Sequence, residues 1–148
     1  MNETFERFMR AALEEAKLAA SEGEVPVGAV LFKDGEIVAR AHNKVEQTHD
    51  ATAHAELLCL RRGMELLGAR LIDCTLFVTL EPCAMCAGAC VNAKLGRLVY
   101  GAFDESAGCC GTRMDLTDHC FLHTVETWGG VLEADCKELL SSFFKELR

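Results

Sequence analysis

Phe5, Phe8, Met9, Ala12, Leu13, Ala16, Ala19 and Ala20 recur at steps of three and four residues. That spacing gathers side chains on one face of an α-helix, and Gly23 marks where the helix stops. Residues 25–32 then read as a strand, Asp34-Gly35 as a tight hairpin turn, and 36–42 as the partner strand. A polar loop over 43–50 leads to Thr52, placed to cap a helix carrying His54, Glu56, Leu57, Leu60, Met64 and Leu67 and closed by Gly68. Residues 76–80 form a short apolar strand, followed by a helix that runs to about Lys94. Pro82 suits the first turn of that helix, where its missing N–H would have no partner anyway. Residues 97–101 read as another strand and 102–113 as a loop rich in glycine and cysteine, with a short helical turn expected near Met114. A fifth strand is expected over 125–128, broken off by Gly129-Gly130. Leu132, Cys136, Leu139, Leu140, Phe143, Phe144 and Leu147 then line one face of a final helix.

A hairpin followed by alternating helices and strands predicts an α/β fold: three layers, α/β/α, with a mixed five-stranded sheet covered by helices on both faces. There are no repeats, low-complexity tracts or linkers, so residues 1–148 are expected to form one domain. The helices carrying His54 and Cys83/Cys86 each follow a strand or a strand-end loop. This directs them to one edge of the sheet, where open α/β sheets place their sites.

Composition narrows the function classes. The net charge of −8 excludes a protein that coats nucleic acid through long basic surfaces, but is compatible with a local patch gripping one short loop. Acidic residues come early and no long apolar run follows, so neither a signal peptide nor a membrane span is expected, and the protein is read as soluble and cytoplasmic. Nine cysteines, an odd number, fit a reducing compartment. Cys59, Cys74, Cys90, Cys120 and Cys136 read as small apolar fillers, and Cys109-Cys110 as a non-functional pair in a glycine-flanked loop.

The candidate chemistry lies in the stretch Thr79-Leu80-Glu81-Pro82-Cys83-Ala84-Met85-Cys86. If a helix starts at the proline, Cys83 and Cys86 share a face, and the positive helix end favours their thiolates. Such a pair alone is equally half of a structural zinc site, a redox dithiol or two buried small residues. His54-Ala55-Glu56 upstream changes that balance. His-x-Glu with Pro-Cys-x-x-Cys is the known signature of the zinc nucleobase deaminases, a match and not a deduction from physics. The residue types make chemical sense. One nitrogen and two thiolates leave a zinc ion one open position for water. A carboxylate beside it can move the protons of a hydrolysis. A closed structural site would have no use for Glu56.

With these motifs in view, the chain resembles the bacterial tRNA-specific adenosine deaminases of the TadA type, within the cytidine/deoxycytidylate deaminase superfamily. The resemblance runs from about Phe8 to Leu147 and is most specific at Gly23-Glu24-Val25-Pro26-Val27-Gly28-Ala29, Ala53-His54-Ala55-Glu56 and Thr79 through Gly88. It implies a cytidine-deaminase-like fold, a homodimer, one Zn2+ per subunit, a tRNA anticodon stem-loop as partner, and conversion of adenosine to inosine at the wobble position. It further implies His54, Cys83 and Cys86 as zinc ligands, Glu56 as proton shuttle, and Asn43, Asp104, Val27 and Ala55 as substrate-binding residues. Without the resemblance Asn43 reads as a turn former, Asp104 as a solvated charge and Phe143-Phe144 as core and dimer packing. His42, His49, His119 and His123 show no ligand spacing.

The chain departs from the family pattern at three places. Ala51 stands where members often have proline, Phe103 and Ser106 flank Asp104 where a basic residue would meet RNA, and Cys109-Cys110 replaces smaller residues. Two other readings remain at this point. One is a guanine or cytosine deaminase acting on a free base or nucleoside, since the superfamily shares the zinc motif. The other is a zinc-stabilised interaction module.

Overall fold

A computed structural model describes residues 2–147. The chain runs α1 (Asn2–Ser21), β1 (Gly28–Lys33), β2 (Glu36–His42), α2 (Val45–Thr48), α3 (Ala55–Leu67), β3 (Thr75–Leu80), α4 (Ala84–Asn92), β4 (Arg97–Ala102), β5 (Glu126–Trp128) and α5 (Glu133–Glu146). The strands form one five-stranded sheet in the order β2-β1-β3-β4-β5. The β1 pairings with β2 and β3 are antiparallel, and those of β4 with β3 and β5 are parallel. The expected mixed α/β/α architecture is what the chain adopts.

The two-residue period of the strands divides the core into two layers. Ala29 and Leu31 of β1, Leu76 and Val78 of β3, and Leu98 and Tyr100 of β4 face one way, onto Cys59 and Leu60 of α3 and Ala87 and Cys90 of α4. Val30, Phe77 and Val99 face the other way, onto Phe5, Phe8 and Met9 of α1 and Cys136 of α5. Phe77 is 1% exposed and meets Phe5 edge-on at 5.8 Å between ring centroids. Gly28 lets α1 lie directly on β1, since a Cβ there would sit 2.1 Å from the Ala12 carbonyl oxygen. The hairpin turn forms as expected, with both Asp34 and Gly35 at positive φ (51° and 84°), the conformation that matches strand twist.

Several boundaries differ from the sequence expectation. β1 starts at Gly28, not at 25: Pro26 has no N–H to donate, and the Val27 N–H bonds back to the Val25 carbonyl in a tight turn. The 43–50 loop contains the one-turn helix α2. Thr52 does not cap α3: the helix begins at Ala55 and His54 takes the cap position, while the Thr52 backbone N–H and hydroxyl donate to Asp50 Oδ1 (2.8 and 2.7 Å) in the preceding turn. Pro82 lies before α4 rather than in its first turn. The strand-like pairing continues through Glu81, whose N–H meets the Ala102 carbonyl, and Cys83 becomes the cap residue. α4 ends at Asn92, with Lys94 turned to φ 56°. Near Met114 there is no helical turn but a Cys110–Asp115 β-bridge closed by the Gly111 N–H on the Met114 carbonyl. Cys59, Cys74, Cys90 and Cys136 are buried as fillers, whereas Cys120 is exposed and its thiol donates to the Asp115 carbonyl. Phe144 is not core either: it is 45% exposed and lies edge-on to Phe143.

Candidate active site

β1 begins where β2 ends, Gly28 pairing with His42, and Ala29 pairs with Val78 near the end of β3. The carboxyl ends of β2 and β3 therefore open on the same edge, and α3 and α4 start there. His54 and Cys83 hold equivalent places: each is an extended cap residue (φ −76°, ψ 148°; φ −76°, ψ 179°) immediately before its helix. Cys86 is the third residue of α4. His54 Nδ1 lies 3.6 Å from the Sγ atoms of both Cys83 and Cys86. The three donor atoms are all within 4.8 Å of one another.

This donor set fits a zinc ion. With Zn–N near 2.0–2.1 Å and Zn–S near 2.3 Å at a tetrahedral angle, nitrogen and sulfur stand about 3.6 Å apart. Three ligands are also the number that leaves one position for a reactant. The local electrostatics already favour a thiolate. The Cys83 thiol is pulled down to about 3 by hydrogen bonds from Cys86 and then His54, which outweigh its burial. Cys86 moves the other way, raised by donating to Cys83 and by burial, so the pair shares its proton unequally. His54 is raised, chiefly by its bond to Cys83 and further by the charge of Glu56.

Glu56, in the first turn of α3, is 4% exposed and is not one of the three clustered donors. Burial pushes its carboxyl from 4.5 up to about 7. A carboxyl poised there exchanges a proton readily in either direction near neutral pH.

A cavity of about 270 Å³ opens over these groups. Val27, Asn43, His54, Ala55, Glu56, Cys83 and Asp104 all line it, and Cys86 lies fully buried in the turn below. Every site residue expected from the sequence is thus gathered around one pocket. Asp104 Oδ1 accepts the N–H groups of Ser106 (2.9 Å) and Ala107 (3.2 Å), while Oδ2 takes no hydrogen bond from the described residues. The remaining histidines lie outside the pocket lining. His42 is wedged between Glu15 and Glu22 at 2.9 Å from each, His123 Nε2 meets the Leu95 carbonyl, and His119 pairs with Asp118. Cys109 and Cys110 are buried, and burial pushes both thiols up.

Two buried carboxylates of the pocket lining escape the sequence reading. Glu24 is 1% exposed, and its carboxylate accepts the Glu46 and Gln47 N–H groups (3.0 and 2.8 Å) that open α2. Burial alone would raise its pKa, but those donors outweigh it and hold the group low. Glu81 is 2% exposed and accepts four hydrogen bonds from the loop after β4. The available signal was a charged residue set directly against Val25-Pro26 or Pro82-Cys83, since a carboxylate beside such apolar neighbours is buried only with partners.

A family model described as MafB19-like deaminase matches residues 3–148. The chain is 50% identical over 145 residues to a tRNA-specific adenosine deaminase of Bacillus subtilis, covering 97% of this chain and 90% of that protein. Among solved structures it is similar to one from work on A-to-I editing by tRNA:A34 deaminases at the wobble position of transfer RNA. There the TM-score is 0.84 at 42% identity, over 90% of this chain and 99% of the other. A guanine deaminase from Nitrosomonas europaea shares the fold with a TM-score of 0.81 at 23% identity, over 93% and 83% of the two chains.

Proposed function

Because the chain belongs to the MafB19-like deaminase family and aligns with tRNA-specific adenosine deaminases along nearly its whole length, we propose that it hydrolyses adenosine to inosine at the wobble position of a tRNA anticodon. The observation that carries the reading is Glu56, a buried carboxyl poised near neutrality beside three clustered metal donors on the floor of a pocket. Its volume of about 270 Å³ suits one extruded base and excludes a duplex. An unpaired loop yields such a base at low cost.

His54, Cys83 and Cys86 would hold one zinc per subunit. When bound, zinc lowers the pKa of water toward neutrality and so supplies the nucleophile. Glu56 as carboxylate takes one proton from the attacking water and gives it to the purine N1. It then takes the second from the hydroxyl on the tetrahedral C6 and gives it to the amino group, which departs as ammonia. Val27 and Ala55 form apolar walls beside the base, and Asn43 gives it a hydrogen-bonding edge. The Oδ2 of Asp104 faces the ribose. The 148 residues act as one domain, and the working form is a cytoplasmic homodimer. Among the described residues no helix is long and apolar enough to cross a membrane.

A free base such as guanine or cytosine is the second reading, favoured by a lining that includes Glu24, Glu46, Glu81 and Asp104 and, among the described residues, no lysine or arginine. The test is to incubate the zinc-loaded protein with two anticodon stem-loops, one with adenosine at the wobble position and one with it moved to a neighbouring loop position. Inosine in the first alone is the expected result; inosine in neither contradicts the proposal.

A further inference from the structure

Glu81 stands two residues before a metal-donor cysteine and lines the pocket, yet its oxygens are fully engaged. Oε1 accepts the Asp104 N–H (3.1 Å) and the Thr112 hydroxyl (2.5 Å), and Oε2 accepts the Cys110 N–H (3.0 Å) and the Thr112 N–H (3.1 Å). A carboxylate has about four lone-pair sites, so four donors saturate it. It has no acceptor left for a substrate, and it forms no salt bridge among the described residues. A buried charge held by backbone amides and one hydroxyl is costly to assemble and very costly to leave unpartnered. The surrounding chain is shaped to receive it. Gly108 passes so close that a Cβ there would lie 2.4 Å from Glu81 Cδ, and the Cys109 N–H closes the loop onto the Pro82 carbonyl.

We propose that Glu81 is a positioning residue: its carboxylate fixes the 103–112 segment so that Asp104 presents Oδ2 to the sugar of the nucleotide in the pocket. The inference rests on the reading of the site given above. Its physical content is a rigid strut. On one side Glu81 continues through Pro82 to Cys83, which anchors the metal donors. On the other it grips the amide of Asp104 itself. The reacting centre and the sugar contact are thereby held at a fixed separation, as a near-attack geometry requires.

The experiment compares Glu81→Gln, Thr112→Val, Thr112→Ser, Asp104→Ala and the Glu81→Gln/Asp104→Ala double variant, each zinc-loaded, with zinc content and thermal midpoint recorded. Glu81→Gln should raise KM for the stem-loop about tenfold, with kcat changed less than about threefold and zinc content unchanged. Thr112→Val should move KM in the same direction by less, and Thr112→Ser, which keeps the hydroxyl, should restore it. Because Glu81 acts through Asp104, the double variant should have a KM no higher than Asp104→Ala alone. Independent multiplication of the two effects overturns the proposal, as does an unchanged KM in Glu81→Gln. Loss of zinc and kcat at constant KM also overturns it, by assigning Glu81 to the metal site. If Glu81→Gln does not fold, the two Thr112 variants decide: no effect of Thr112→Val on KM, or no rescue by serine, counts against the strut. If wild-type protein leaves the stem-loop untouched, the functional reading fails separately. Hydrogen exchange then decides for Glu81, which should protect the amides of Asp104, Cys110 and Thr112 at least tenfold relative to Glu81→Gln without affecting α4.

Discussion

A carboxyl group held near neutrality by burial is an unstable arrangement that the fold maintains at Glu56, and its consequences are measurable. Glu56→Ala should retain the metal, because the clustered donor atoms belong to His54, Cys83 and Cys86 and not to Glu56, and lose turnover by at least about a hundredfold. Zinc analysis beside single-turnover kinetics checks both halves. Cys83→Ser should instead lower metal content and thermal stability together. The metal-free protein carries a pH signature as well. Glu56 titrates at about 7 when folded and near 4.5 when unfolded, so between those values the native state holds a proton that the unfolded state has released. Stability from this group is therefore fully present below about 4.5 and lost as pH rises through 7, by about 3 kcal/mol in total. Denaturation of metal-free wild type and Glu56→Gln across that window should show the slope in the first and not the second. His54, Cys83, Cys86 and Glu56 could be singled out in the sequence because His-x-Glu and Pro-Cys-x-x-Cys match a known zinc motif, and the fold brings the donor atoms of the first three within 4.8 Å of one another.

Among the elements, the long periodic helices and the alternating strands were the easiest to read, since their apolar faces are repeated signals. The ends of elements were harder, because they depend on which partner takes a single N–H group. Thr52 looks like a cap by residue type, yet it is held in a turn on Asp50, the helix begins only at Ala55, and the cap position falls to His54. α2 has only four residues and no apolar face to announce it; it is nucleated by a carboxylate more than twenty positions away. No local pattern encodes that contact. Glu24→Ala should leave the Glu46 and Gln47 amides without their acceptor and cost about 2 kcal/mol in chemical denaturation. Because Asn43 lies just before α2, the same change should also raise KM for the nucleic-acid substrate. An unchanged stability would show that water replaces Glu24 at no cost.

For the molecule as a whole, the sheet sets the site. Its mixed topology brings the ends of β2 and β3 to one edge, and α3 and α4 carry their cap residues to that edge. The layer order was legible from the order of elements, a hairpin followed by alternating helices and strands, whereas the division of Val30, Phe77 and Val99 from their equally apolar neighbours emerges only in the folded sheet. The charge balance was harder to interpret: a net −8 and a pocket lined by carboxylates sit uneasily with a polyanionic substrate. Glu24 and Glu81 ease that tension in part, because each carboxylate meets backbone N–H groups instead of facing the substrate unpaired. The decisive measurement sets the zinc-loaded protein before an adenosine-wobble anticodon stem-loop in parallel with free adenosine, adenine, guanine and cytosine. Deamination of the stem-loop, with the free bases and nucleoside untouched, is the predicted result. Turnover of a free base with an intact stem-loop would contradict the assignment of tRNA as substrate.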